Sequence, residues 1–174
     1  MKPGGSKGKG NAFERLVAVT IRKDLEPFGI GEKDIYRTPN SGGHPFCDDC
    51  DLIVSAKLFQ IFPFVVECKH EKKLTVGGLF DLRRDFQAHL KQVTRAVETS
   101  KANGLQGCSP LLIWQGDRTK LYAAGHPSAI IAAYGRHSPE AMNRLHFMFE
   151  SQKWVMFGFE DFRQLIIEKA EVIL

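Results

Sequence analysis

Acid is missing from the first ten residues, MKPGGSKGKG, which hold three lysines and no apolar side chain beyond Met1. Such a stretch has too little apolar surface to fold against a core, so residues 1–10 are expected to form a flexible basic arm. No apolar run approaches the roughly 18 residues of a membrane span, and the N-terminus has no apolar signal region. A protein without a membrane partner is expected, working in the cytoplasm whether cellular or virus-encoded. Cysteine is scarce: Cys47, Cys50, Cys68 and Cys108 are too few to staple a chain of 174 residues, which favours reduced thiols. Internal repeats are absent too, and so is any recognisable base-reading motif. A large charge excess is also lacking. Beyond the arm, 21 bases face 20 acids, so any nucleic-acid affinity must come from where the charge is placed.

What is present fits one domain over residues 11–174, since 43% of the chain is apolar and no composition break demands a second unit. Phe13, Leu16, Val17 and Ile21 recur at helical spacing and predict a helix from Asn11 to about Leu25. Glu14, three residues after Asn11, also fits a capping box. A short strand over Asp34–Pro39 and a flexible turn at Asn40-Ser41-Gly42-Gly43 follow.

The densest chemistry lies between residues 51 and 69. Asp51 heads the apolar run Leu52-Ile53-Val54, and a second run starting at Phe62 ends in Glu67-Cys68-Lys69. Alternate side chains of a strand share a face, so Glu67 and Lys69 point together while Cys68 points into the core. Pairing the two strands as a hairpin brings Asp51 near Glu67. Two carboxylates and an ammonium in one cluster weaken a fold by repulsion and burial. A hard divalent cation with both carboxylates as oxygen ligands resolves that conflict. Lys69 is then placed to orient a water or steady a phosphate oxyanion, which outlines a phosphodiesterase site.

Downstream, an amphipathic helix is expected from about Leu79 to Ala102, with Leu82, Phe86, Leu90, Val93 and Val97 inward. Arg84, Lys91 and Arg95 form a row on its outer face. Lys69 to Lys101 holds eight bases and four acids, so the basic excess of the folded part is concentrated there. Strands are expected over Pro110–Gln115 and Thr119–Ala123, short helices over Pro127–Tyr134 and Pro139–Leu145. A hairpin of Phe147–Phe149 with Trp154–Phe157 and a helix over Phe159–Ala170 close the chain. Phe147, Phe149, Trp154, Phe157 and Phe159 read as core or dimer interface. His44-x-x-Cys47-x-x-Cys50, with His70 further on, offers zinc-type ligands, but no second CxxC completes the set.

The order of these pieces resembles the PD-(D/E)xK nuclease superfamily and, within it, the archaeal-type Holliday junction resolvases. Three stretches carry the likeness: Lys9-Gly10-x-x-x-Glu14-Arg15, Arg37-x-Pro39-x-Ser41-Gly42-Gly43, and Asp51-Leu52-Ile53 followed by Glu67-Cys68-Lys69. Leu90-Lys91-Gln92-Val93 resembles the Gln-Val segment of that family. The likeness covers about residues 7–125. Cys50 stands where the family usually has proline, and Asp48 and Asp49 add acids beside Asp51. The resemblance implies an α/β, restriction-endonuclease-like core in αβββαβ order: a central mixed sheet flanked by helices, with a C-terminal hairpin and helix. It implies Mg²⁺, with Mn²⁺ able to substitute, held by Asp51, Glu67, the Cys68 carbonyl and Glu14, with Lys69 catalytic beside them. It also implies a homodimer acting on branched DNA, with Lys9, Arg15, Arg37, Ser41 and Gln92 joining Arg84, Lys91 and Arg95 as DNA contacts. The expected activity is paired, metal-dependent cleavage of four-way junctions. Two alternatives stay open: another repair or restriction-type nickase of the superfamily, and a branched-DNA binder that does not cleave.

Overall fold

A computed structural model describes residues 5–39, 50–72, 74–80, 84–116, 119–135 and 144–174. Helix α1 (Gly5–Leu25) leads through a 3₁₀ turn at Glu26–Phe28 to strands β1 (Ile35–Arg37) and β2 (Leu52–Val54). Then come helix α2 (Ala56–Phe59), strand β3 (Phe64–His70), and helices α3 (Val76–Phe80) and α4 (Arg84–Ala102). Strands β4 (Ser109–Gln115) and β5 (Leu121–Gly125), helix α5 (Pro127–Tyr134), strands β6 (Arg144–Phe149) and β7 (Gln152–Gly158), and helix α6 (Phe159–Ile173) complete the chain.

Five strands form one mixed sheet in the order β3-β4-β5-β7-β6, with β3 and β4 parallel and the remaining pairs antiparallel. Parallel neighbours need a long crossover, and α3 with α4 supplies it. β4 reads as an unbroken apolar run because both of its faces are covered. Leu111 and Ile113 join a core with Val17, Ile21, Phe62 and Phe162, while Leu112 and Trp114 face Phe86, Leu90 and Val93 of α4. This is the restriction-endonuclease-like arrangement of a mixed sheet between helices.

Several expectations shift. α1 begins at Gly5, so Gly5–Gly10 is helical and Asn11 and Glu14 lie inside the helix, away from any N-cap. β2 and β3 do not form a hairpin. β2 pairs antiparallel with β1 in a separate two-stranded sheet, with Arg37 opposite Leu52. The reason lies in the link: Ser55 caps α2 by accepting the Leu58 amide at 3.3 Å, and that helix turns the chain away from β2. Of the helix expected from Leu79, the structure describes α3 up to Phe80 and α4 from Arg84; residues 81–83, Leu82 among them, lie outside the described residues. Arg144 and Leu145, expected at the end of a helix, instead open β6. The aromatic cluster splits by strand alternation: Phe149 and Trp154 pack against α4, whereas Phe157 and Phe159 pack on the α1–α6 side.

Candidate active site

β3 is an edge strand of the large sheet and carries the pair that the sequence singles out. Glu67 is fully buried, and the Lys69 ammonium, on the same face, makes an ion pair with its Oε1. Cys68 points the other way, into the core with Phe64 and Val66. Its thiol is pushed well above the ordinary range, by burial first and then by the neighbouring carboxylates, so it stays protonated.

Asp51 reaches this pair without a hairpin. Its amide donates to the Val66 carbonyl at 3.0 Å, and its Oδ2 accepts the Cys68 amide at 2.7 Å. The residue thus docks side-on against β3 just before β2 begins. Glu14 arrives from α1, held by the Arg37 guanidinium. Arg37 Nε donates to Glu14 Oε2 at 2.5 Å, Nη2 to Asn11 Oδ1 at 2.9 Å, and Nη1 to the Pro39 carbonyl at 3.4 Å. The arginine expected to hold a DNA phosphate instead spends three nitrogens on the protein, and its main occupation is Glu14. Asn11, read from sequence as half of a capping box, is a second anchor for that arginine.

The electrostatics show that these groups share one neighbourhood. Burial is the largest influence on Asp51 and raises its carboxyl to about 6; the Cys68 amide and the Lys69 and Arg37 charges pull it down, while Glu14 pushes it further up. Glu67 is raised to about 8, by burial first and then by the charge of Asp51, with Lys69 opposing and Glu14 adding. For Lys69, burial acts to lower its pKa, but Glu67, Asp51 and Glu71 outweigh it, so the ammonium stays charged. A buried pair of carboxylates that resist ionisation is costly without a partner cation.

His89 is a neighbour that sequence reasoning missed. It extends from α4, with Nε2 3.4 Å from Glu71 Oε1, and burial lowers its pKa despite that acid. Its position one turn from Phe86 and next to Leu90 was the available signal, since that face of α4 points at the sheet. The expected DNA contacts are scattered. Lys9 and Arg15 on α1 and Arg84, Lys91, Gln92 and Arg95 on α4 are all exposed, with Lys91 pairing to Glu150 at 3.1 Å. Ser41, Asp48 and Asp49 lie outside the described residues, as do His44 and Cys47 of the zinc-type pattern. Cys68 and Cys108 are free thiols, as expected. Cys50 is not: it is disulfide-bonded.

Among the described residues, no group of three or more His, Cys, Asp or Glu forms a ready-made metal centre. The donor chemistry nevertheless fits a hard cation. Both Glu67 oxygens are buried; Oε1 faces the Lys69 ammonium and Oε2 has no hydrogen-bond partner among the described residues, while the Asp51 carboxylate accepts the Cys68 backbone amide. Asp51 and Glu67 would supply the oxygen ligands, with the Cys68 carbonyl between Glu67 and Lys69 in the strand and Glu14 behind them.

The mixed sheet between helices, with Asp51 bonded to β3 beside Glu67 and Lys69, fits the PD-(D/E)xK nuclease superfamily. The chain belongs to the family described as phage putative PDDEXK endonuclease, whose model matches residues 5–171. That match supports the superfamily the motifs indicated, and not its archaeal-type junction resolvases. No curated protein and no solved structure matches the chain.

Proposed function

We propose that this nuclease hydrolyses DNA phosphodiesters with a divalent cation bound by Asp51 and Glu67, Mg²⁺ being the native ion and Mn²⁺ a working substitute. The observation that carries this reading is the placement of Asp51, bonded to the Cys68 amide of β3, beside the buried Glu67 and the Lys69 ammonium that pairs with it. Such a cation supplies a more acidic bound water and screens the charge of the scissile phosphate. Lys69, fixed by Glu67, holds positive charge where an attacking water or a phosphate oxygen must be oriented. Glu14, steadied by Arg37 and Asn11, completes the acidic side of the site. Attack of water on phosphorus with cleavage of the P–O3′ bond leaves a 5′-phosphate and a 3′-hydroxyl.

The finer reading is a homodimer that resolves four-way junctions, one site serving each of two paired cuts. It is supported by the spaced motifs around Glu14, Arg37, Asp51 and Glu67-Cys68-Lys69. Exposed Lys9, Arg15, Arg84, Lys91, Gln92 and Arg95 suit contact with phosphates rather than base edges. A synthetic four-way junction, a flap and a linear duplex, each incubated with Mg²⁺ and with EDTA, test both levels. Cleavage of the junction alone, abolished by EDTA and by Asp51→Asn, is the expected result. Equal cutting of all three would leave a nickase of another specificity. Junction binding that survives EDTA with no cleavage on adding Mg²⁺ would overturn the nuclease reading in favour of a non-cleaving binder.

A further inference from the structure

Thr38 leaves β1 as a buried polar residue, 4% exposed, and takes no part in the site as described so far. Its hydroxyl donates to the Cys50 carbonyl at 2.7 Å, and its amide donates to the Asp51 carbonyl at 3.0 Å. One residue therefore ties two consecutive carbonyls on one side of the peptide that carries Asp51. On the other side, the Asp51 amide and carboxylate are bonded to Val66 and Cys68 of β3. Asp51 is suspended between the small sheet and the large one. The Thr38 amide bond to Asp51 extends the β1–β2 pairing one step past Arg37 and Leu52, and the hydroxyl bond to the Cys50 carbonyl is added to it.

We infer that Thr38 is a positioning residue of the metal-binding pair, its hydroxyl fixing the backbone from which Asp51 projects toward Glu67. The inference rests on the metal site proposed above. Valine keeps the branched Cβ of threonine and nearly its volume but leaves the buried Cys50 carbonyl without that donor. The chain around Asp51 then relaxes, and the two carboxylates lose their relative placement. Groups that orient metal ligands in this way change affinity when removed, even though they never touch the ion.

The test is calorimetric titration of Mn²⁺ into EDTA-treated wild type, T38V, T38S and D51N, beside thermal unfolding of each in EDTA. T38V is expected to fold and to bind Mn²⁺ about tenfold more weakly or worse. T38S, which keeps the hydroxyl, stays close to wild type, and D51N loses the site. Equal affinity of T38V and wild type, with D51N defective, would overturn the role of Thr38 and leave the metal site standing. T38S as weak as T38V would also overturn it, because the hydroxyl would not be the operative group. A T38V chain that fails to fold in EDTA would show the hydroxyl to be a fold determinant, which overturns the inference too. Wild type binding no more Mn²⁺ than D51N would bring down the metal-site reading itself.

Discussion

Glu67 has no exposed surface, and its carboxylate meets the Lys69 ammonium at Oε1 while Oε2 has no hydrogen-bond partner among the described residues. Its burden has a measurable consequence. Unfolded carboxyls titrate at about 4, whereas in the folded, metal-free chain Asp51 and Glu67 are raised to about 6 and about 8. Between those limits the folded state binds more protons than the unfolded one, so stability falls as pH rises across the window. Denaturation in EDTA should therefore show a less stable protein at pH 8 than at pH 5, and Mg²⁺ should narrow the difference. Asp51→Asn keeps an acceptor for the Cys68 amide while removing the charge that pushes Glu67 up. At pH 8 in EDTA it should stabilise the chain by about 1 kcal/mol or more while abolishing cleavage. A less stable Asn variant would contradict the repulsion described here. The directions of Glu67, Cys68 and Lys69 were legible in the sequence because strand alternation decides them. The task of Arg37 was not. Its partners Glu14 and Asn11 lie 23 and 26 positions away, and no local pattern ranks them against a phosphate.

The elements were legible wherever periodicity had length to act. α4 buries Phe86, Leu90, Val93 and Val97 as its spacing requires, and α5 has the bounds expected. The central hairpin failed because Ser55 offered an N-cap inside the link, a signal outweighed by the two apolar runs on either side. The N-terminal arm was shortened by α1, whose apolar stripe starts at Phe13 but whose backbone helix extends back through Gly8 and Gly10. On α4, Arg84, Lys91 and Arg95 are exposed, and the phosphate contacts proposed for them make a prediction. Arg84→Glu with Arg95→Glu should weaken DNA binding uniformly across sequences and reduce its salt slope by about 2. Mn²⁺ affinity should stay unchanged. An unaltered salt slope would assign this face to solvent, and a loss of Mn²⁺ binding would mean that the fold had been disturbed.

Across the whole molecule, the mixed sheet serves as a platform with its chemistry at one edge. β3 presents Glu67 and Lys69, α1 and β1 bring Glu14 and its arginine, and the chain entering β2 brings Asp51. The αβββαβ order that the resemblance implied holds for α1, β1, β2, β3, α4 and β4, with the short helix α2 inserted between β2 and β3. The joining of two sheets through Asp51 was not legible, since it depends on Thr38, just past β1, and Val66 of β3, which show no shared pattern. The family match over residues 5–171 agrees with that architecture and leaves the substrate to experiment. The central claim is that Asp51 and Glu67 share one cation, and anomalous diffraction from a crystal soaked in Mn²⁺ tests it most directly. The account predicts a single strong peak within about 2.5 Å of carboxylate oxygens from both residues, beside the Cys68 carbonyl. No peak there, or a peak at surface acids such as Glu150 in place of this pair, would contradict it.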